Sequence, residues 1–201
     1  MRFSLGPPPE DDAVRNEGDT WQPLKEPSRL RFQVLAVFAA LAVTIGIALS
    51  LLARDSRLIA DISWPTVMLL IVLIVPVHEF LHAVCFKGGF MSRRVVFGFY
   101  AKAFAFYAHY RSPVTRRRYI TISLFPFLVL TVTPLLIVTL LRAECRYLVE
   151  VILANGTASA GDILTVIFVA RQAPKESILI NSGTRTYWRP AGSRPTELDA
   201  G

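Results

Sequence analysis

Three side chains capable of metal binding and proton transfer stand together in an apolar run, VPVHEFLHAVCF at residues 75–86. His78 and His82 are four positions apart, so on a helix their imidazoles lie one above the other on one face. Two neutral rings in that arrangement can coordinate one metal ion, with Glu79 beside them as general base towards an attacking water. The setting is costly, because a carboxylate in hydrocarbon is disfavoured by roughly 2.5–3.5 kcal/mol even on the mildest insertion scales. Apolar residues would pack there at less cost. Metal chemistry is therefore favoured over the plainer reading, in which the three residues satisfy one another in a helix interface.

A catalytic zinc site usually takes three protein ligands and leaves one position for water. His109 is the only other histidine; it closes an aromatic segment, where a surface or headgroup contact is expected. Asp162 is the natural third ligand. In NGTASAGD, Asn155, Ser159 and Asp162 recur at i, i+4 and i+7 and form one polar stripe on a helix. Asp162 lies about 15 residues into its apolar block and the histidines about 16 into theirs, counted from the same membrane face. Glu150, the other acid of that block, would stand ~18 Å away along the axis. The bland alternative for Asp162 is a helix–helix hydrogen bond or a salt bridge to a linker arginine. Asn155 and Ser159 are candidates for holding substrate backbone or for fixing the rotamer of Asp162. Cys85 shares the helix face of the histidines, but packing as a small apolar residue is its expected role.

Long apolar elements must position these groups. Of the 201 residues, 53% are hydrophobic, and the mean hydropathy is +0.44. The apolar residues gather in blocks 31–53, 64–86, 119–141 and 147–170, each able to cross ~30 Å of hydrocarbon at ~1.5 Å per residue. The first block begins late and lacks a signal-type cleavage site, so it reads as a retained span. Pro126 and Pro134 predict a kinked third span. Between the second and third blocks, VVFGFYAKAFAFYAHY (95–110) alternates aromatic and small residues with period two. That pattern favours strand, as a hairpin turning near Ala101–Lys102. At membrane depth such backbone must be buried in protein or line a wet cavity.

The expected fold is a membrane all-α bundle of about four transmembrane helices, with a small β-hairpin between helices 2 and 3. Residues 1–28, rich in Pro, Gly and charge, read as a disordered polar tail. Residues 29–172 form the membrane-embedded domain, and 173–201 a polar tail with a short strand at SILI.

The formal net charge of +7 raises the question of nucleic acid, but its distribution argues for a membrane surface. No acidic residue falls between Glu79 and Glu144, while Lys87, Arg93, Arg94, Lys102, Arg111 and Arg116, Arg117 and Arg118 crowd the linker between the second and third blocks. The positive-inside rule makes that linker and both termini cytoplasmic, in a multi-pass protein of the cell membrane. The basic side chains then face anionic headgroups of the lipid bilayer, and no nucleic acid is expected. Cys85 and Cys145 lie near opposite ends of separate spans, so no disulfide is expected.

The order of features (apolar span, HExxH span, basic and aromatic β-like segment, third span, span with Asn and Gly-Asp) resembles the site-2-protease-like membrane metallopeptidases. More narrowly, HEFLHA, FGF and NGTASAGDIL are similar to the small family of membrane proteins described as "putative zincin peptidases", over about residues 64–172. The resemblance implies a zinc-dependent, membrane-embedded endopeptidase acting on peptide bonds of membrane or membrane-proximal proteins. It also implies His78, His82 and Asp162 as ligands of Zn2+ and Glu79 as the base. Two other classes stay open: a non-catalytic membrane protein that keeps a metal, and a metal or solute transporter. Against the transporter stand the small number of spans, the lack of an internal repeat and the carboxylate base beside His78.

Overall fold

The computed structural model describes residues 2–16, 20–101, 105–142 and 145–192. The chain is mostly helical and packs as two units. One combines Pro27–His82 with Ser123–Val166; the other combines the N-terminal stretch to Glu26, Ala83–Ile122 and the residues from Ile167 onward.

The first unit is helical. Its long elements are α2 (Arg29–Arg54), α4 (Trp64–Val84), α5 (Arg116–Phe127), α6 (Thr133–Leu140), α7 (Arg146–Ala158) and α8 (Ala160–Gln172), some of which run on into the second unit. The short helices are α1 (Asp12–Asn16), in the second unit, and α3 (Arg57–Ala60). Leu30–Arg54, Trp64–Val84 and Arg116–Leu140 are 25, 21 and 25 residues long and apolar enough to cross a membrane. Their lengths follow from uninterrupted apolar runs at ~1.5 Å per residue. Ile47, Leu51, Val67, Val138, Val149, Ile152 and Leu153 form the buried centre. Phe38, Leu41, Ile45 and Leu49 of α2 and Leu69 and Leu73 of α4 are exposed, an apolar surface suited to hydrocarbon rather than water. α7 approaches α2 closely, since a Cβ on Gly156 would fall 2.5 Å from Ile47 Cδ1. The Thr44 and Thr157 hydroxyls meet beside it at 3.0 Å, the pattern of small and hydroxyl residues that lets helices pack in membranes.

Two spans depart from straight helix. Between Pro126 and Pro134 the third changes register into a π-turn, Leu128–Val132, where the Thr133 N–H bonds to the Leu128 carbonyl. Proline lacks an N–H, so Pro134 cannot close an α-type bond to Leu130. The expected fourth helix is bent by 45° between α7 and α8. Ser159, at the break, donates its hydroxyl to the Asn155 carbonyl at 2.8 Å, a back-bond that bends helices. Taken together, α7 and α8 are the candidate fourth span.

The second unit carries two small sheets, more β-structure than the hairpin and the short strand at SILI expected from the sequence. In one, β3 (Val95–Tyr100) and β4 (Ala105–Tyr110) pair antiparallel, from Val95 opposite Tyr110 to Tyr100 opposite Ala105. Lys102, at the expected turn, lies outside the described residues. β1 (Arg2–Leu5) joins β3 in parallel, within a stretch whose composition reads as a disordered tail. Main-chain bonds to an open strand edge need no apolar side chains, and Phe3 and Leu5 remain 65% and 79% exposed. At Gly98, opposite Ser4, an added Cβ would come 2.7 Å from the Ser4 carbonyl oxygen and would also meet the Tyr107 ring.

The other sheet has the order β2 (Gln22–Pro23), β7 (Arg185–Pro190), β6 (Ser177–Ser182), β5 (Val114–Thr115). The expected short strand at SILI is here part of a hairpin turning at Gly183, whose φ is +57°. Polar and aromatic residues in β7 hide this strand from a hydropathy reading. Leu24, Tyr119, Val169, Ala173 and Leu179 form the core beneath it.

Candidate metal centre

The site lies wholly within the helical unit. α4 presents His78 and His82 on one face, 6% and 8% exposed, with ring centroids 4.8 Å apart and planes at 79°. Ligand atoms of His78, Glu79 and His82 all lie within 4.8 Å of one another, a group that could hold a metal ion. Asp162, in the first turn of α8, places Oδ2 2.9 Å from His78 Nε2 and 3.5 Å from His82 Nε2. Its side chain keeps 27% exposure, and Glu79 is half-buried, so neither carboxylate is fully enclosed by protein.

Asn155 determines how His78 is protonated. Its Nδ2 donates to the Pro126 carbonyl at 3.2 Å, to Thr131 Oγ1 at 2.9 Å and to Ser159 Oγ at 3.3 Å. A carbonyl only accepts, so this end of the amide is the NH2 and Oδ1 faces His78 Nδ1 at 2.9 Å. Nδ1 therefore carries a proton and donates it to Oδ1. In the neutral ring, Nε2 is then a bare lone pair, and it points at a carboxylate oxygen. Two acceptors at that distance in a buried site require a proton or a cation between them.

The donor set fits a zinc-type ion. Ligands ~2.0–2.2 Å from a tetrahedral centre stand about 3.3 Å apart. The two Nε2–Oδ2 separations, 2.9 and 3.5 Å, straddle that spacing. The hydrogen bond from Nδ1 to an amide oxygen is the supporting contact that fixes tautomer and ring orientation in metal-bound histidines.

The remaining sequence candidates fall as follows. Ser159 bonds to both the carbonyl and the side-chain amide of Asn155. The stripe expected to support Asp162 instead orients His78, because the bend at Ser159 separates Asn155 on α7 from Asp162 on α8. Thr131, 1% exposed, and the Pro126 carbonyl are members of this network that the spacing of the sequence does not reveal. Glu150 is 0% exposed and belongs elsewhere: Oε1 accepts from the Ser63 N–H at 2.9 Å and from Arg146 Nε at 3.0 Å.

His109, expected at a surface, is buried in the sheet unit at 4% exposure, opposite Val96. Its Nε2 has no hydrogen-bond partner among the described residues. Burial holds its pKa down at about 4, with Asp11 opposing that shift and Arg111 adding to it. Cys85 packs against the cluster of Ala83, Phe86, Val95 and Tyr110.

No curated protein and no solved structure gives a significant match to the chain. A family model does match, over residues 71–178, a stretch that holds HExxH, Asn155 and Asp162. That is more than half of the chain, which therefore belongs to the family described as "Putative zincin peptidase".

Proposed function

We propose that the chain is a zinc-dependent, membrane-embedded endopeptidase of the site-2-protease-like kind, acting on membrane or membrane-proximal proteins. The observation that carries this reading is the meeting of His78 Nε2, His82 Nε2 and Asp162 Oδ2, with the His78 tautomer set by Asn155. His78, His82 and Asp162 would hold the ion. When bound, zinc supplies Lewis acidity that polarises a peptide carbonyl and acidifies water. Glu79 accepts the proton of the attacking water and returns it to the leaving amine nitrogen.

A substrate helix hides its peptide bonds, so the scissile segment must be unwound before attack. Three helices, or four with the bent pair, are long enough to cross a membrane, and the positive-inside rule supports a cytoplasmic side of the cell membrane for the basic linker and both termini.

The test is bound metal, by plasma mass spectrometry, on purified wild type, His78→Ala and Asp162→Ala, followed by cleavage of a membrane-protein substrate. Near one zinc per chain, lost in both variants, together with cleavage abolished in a zinc-retaining Glu79→Gln, supports the endopeptidase. Zinc binding without Glu79-dependent cleavage would make the chain a non-catalytic metal protein.

A further inference from the structure

The π-turn Leu128–Val132 is the least regular backbone in the third span, and it touches the site through one side chain. Thr131 and the Pro126 carbonyl converge on the same nitrogen, Asn155 Nδ2, at 2.9 and 3.2 Å. In a regular α-helix residues five apart diverge by about 140° around the axis, at ~100° per residue. Here the i→i+5 closure from the Leu128 carbonyl to the Thr133 N–H interrupts that register, with Thr131 inside it. The π-turn and the end of the preceding helix thus both reach one amide.

We infer that Thr131, carried by the π-turn, is a positioning residue for metal binding, acting through Asn155 on His78. The inference rests on the metal reading of the site given above. The Pro126 carbonyl can only accept, so it sets which end of the amide faces it. Thr131 Oγ1, the shortest of the three contacts, fixes the amide plane. A rotated Asn155 would present its NH2 to His78 Nδ1, which would then have to be the acceptor. The ring proton would move to Nε2, where it occupies the lone pair that faces Asp162. By holding the amide plane, the hydroxyl of Thr131 keeps the orientation that the Pro126 carbonyl selects, in which His78 carries its proton on Nδ1 and its lone pair on Nε2.

The test is a zinc titration of the purified full chain against a chromogenic chelator, with thermal unfolding of each metal-free variant alongside. Thr131→Val removes the hydroxyl at nearly constant volume, and Thr131→Ser restores it. Thr139→Val deletes a hydroxyl of the same span that bonds only to the Leu135 and Leu136 carbonyls. We expect zinc affinity about 10–100-fold weaker in Thr131→Val, the range for supporting contacts of metal ligands, with Thr131→Ser and Thr139→Val near wild type. If Thr131→Val does not fold, Thr131→Ala removes the same hydroxyl and should show the same loss.

Wild-type affinity in the Val or Ala variant, or an equal loss in Thr131→Ser, overturns the positioning role while leaving the metal site standing. A well-folded wild type that takes up no zinc overturns the metal reading itself, and this inference with it.

Discussion

Two polar nodes lie buried among the apolar helices of one unit, and they are built in opposite ways. At the Glu150 node, a carboxylate oxygen accepts from a backbone N–H and from an arginine one helical turn away. That oxygen meets two donors, one of them a cation, while Oε2 has no partner among the described residues; the tie holds α7 to the start of α4. At the His78 node the donors have been directed outward. Nδ1 is committed to Asn155, and the inner atoms, Nε2 and the Asp162 carboxylate, are both acceptors. At the first node the bonded oxygen is satisfied by protein alone. The second becomes complete only with a proton or a metal ion between its members. The contrast is one of direction: donors meet an acceptor at Glu150, whereas acceptors face each other at His78 and Asp162.

The largest effect should come from Glu79→Gln, which removes the base and leaves the acceptor cluster intact. We expect kcat to fall by about 10²–10⁴ with zinc content unchanged, read by substrate cleavage and plasma mass spectrometry. Loss of zinc in that variant would place Glu79 among the ligands and redraw the node. Next, matched amide substitutions separate the nodes directly. Asp162→Asn should weaken zinc by about 100-fold or more, beyond the usual loss for a merely supporting residue, whereas Glu150→Gln should leave zinc affinity at the wild-type value. Equal effects on zinc would erase the distinction.

His109 supplies a third case, a buried ring in the sheet unit. Its pKa of about 4 lies below the ordinary 6.5, so the folded state binds fewer protons than the unfolded state between those values. Stability is then fully present above about pH 6.5 and is lost as pH falls through about 4, up to about 3 kcal/mol. His109→Phe should flatten that pH dependence in thermal unfolding of the full chain; an unchanged profile would assign it to other groups. The smallest effect is expected for Glu150→Gln on stability. It keeps an acceptor for the Ser63 N–H and loses only the charge on a pair whose arginine is half exposed. About 1 kcal/mol is expected, measured by denaturant unfolding in detergent.

Much of this arrangement is legible from residue type and spacing. Uninterrupted apolar runs give the helices, HExxH gives the shared face of His78 and His82, and a count of residues puts Asp162 at their depth. What stays hidden depends on backbone detail. The i, i+4, i+7 stripe assumes a straight helix, but the back-bond of Ser159 bends it and turns Asn155 towards His78. Thr131 sits in a run of β-branched and apolar residues, and it meets the amide from a π-turn between two prolines that its spacing does not announce. β7 buries Thr186 and packs Trp188 between arginines and a tyrosine that mask the pattern, and β1 lacks an apolar alternation because main-chain pairing, rather than side-chain burial, places it.

That mode of pairing has a consequence in time. With Phe3 and Leu5 exposed, β1 can open from β3 at little cost in buried apolar surface, so its amides should exchange with deuterated solvent well before those of the β3–β4 ladder. The outermost strand would be the shortest-lived part of its sheet, and one methyl group added at position 98 would be enough to shed it.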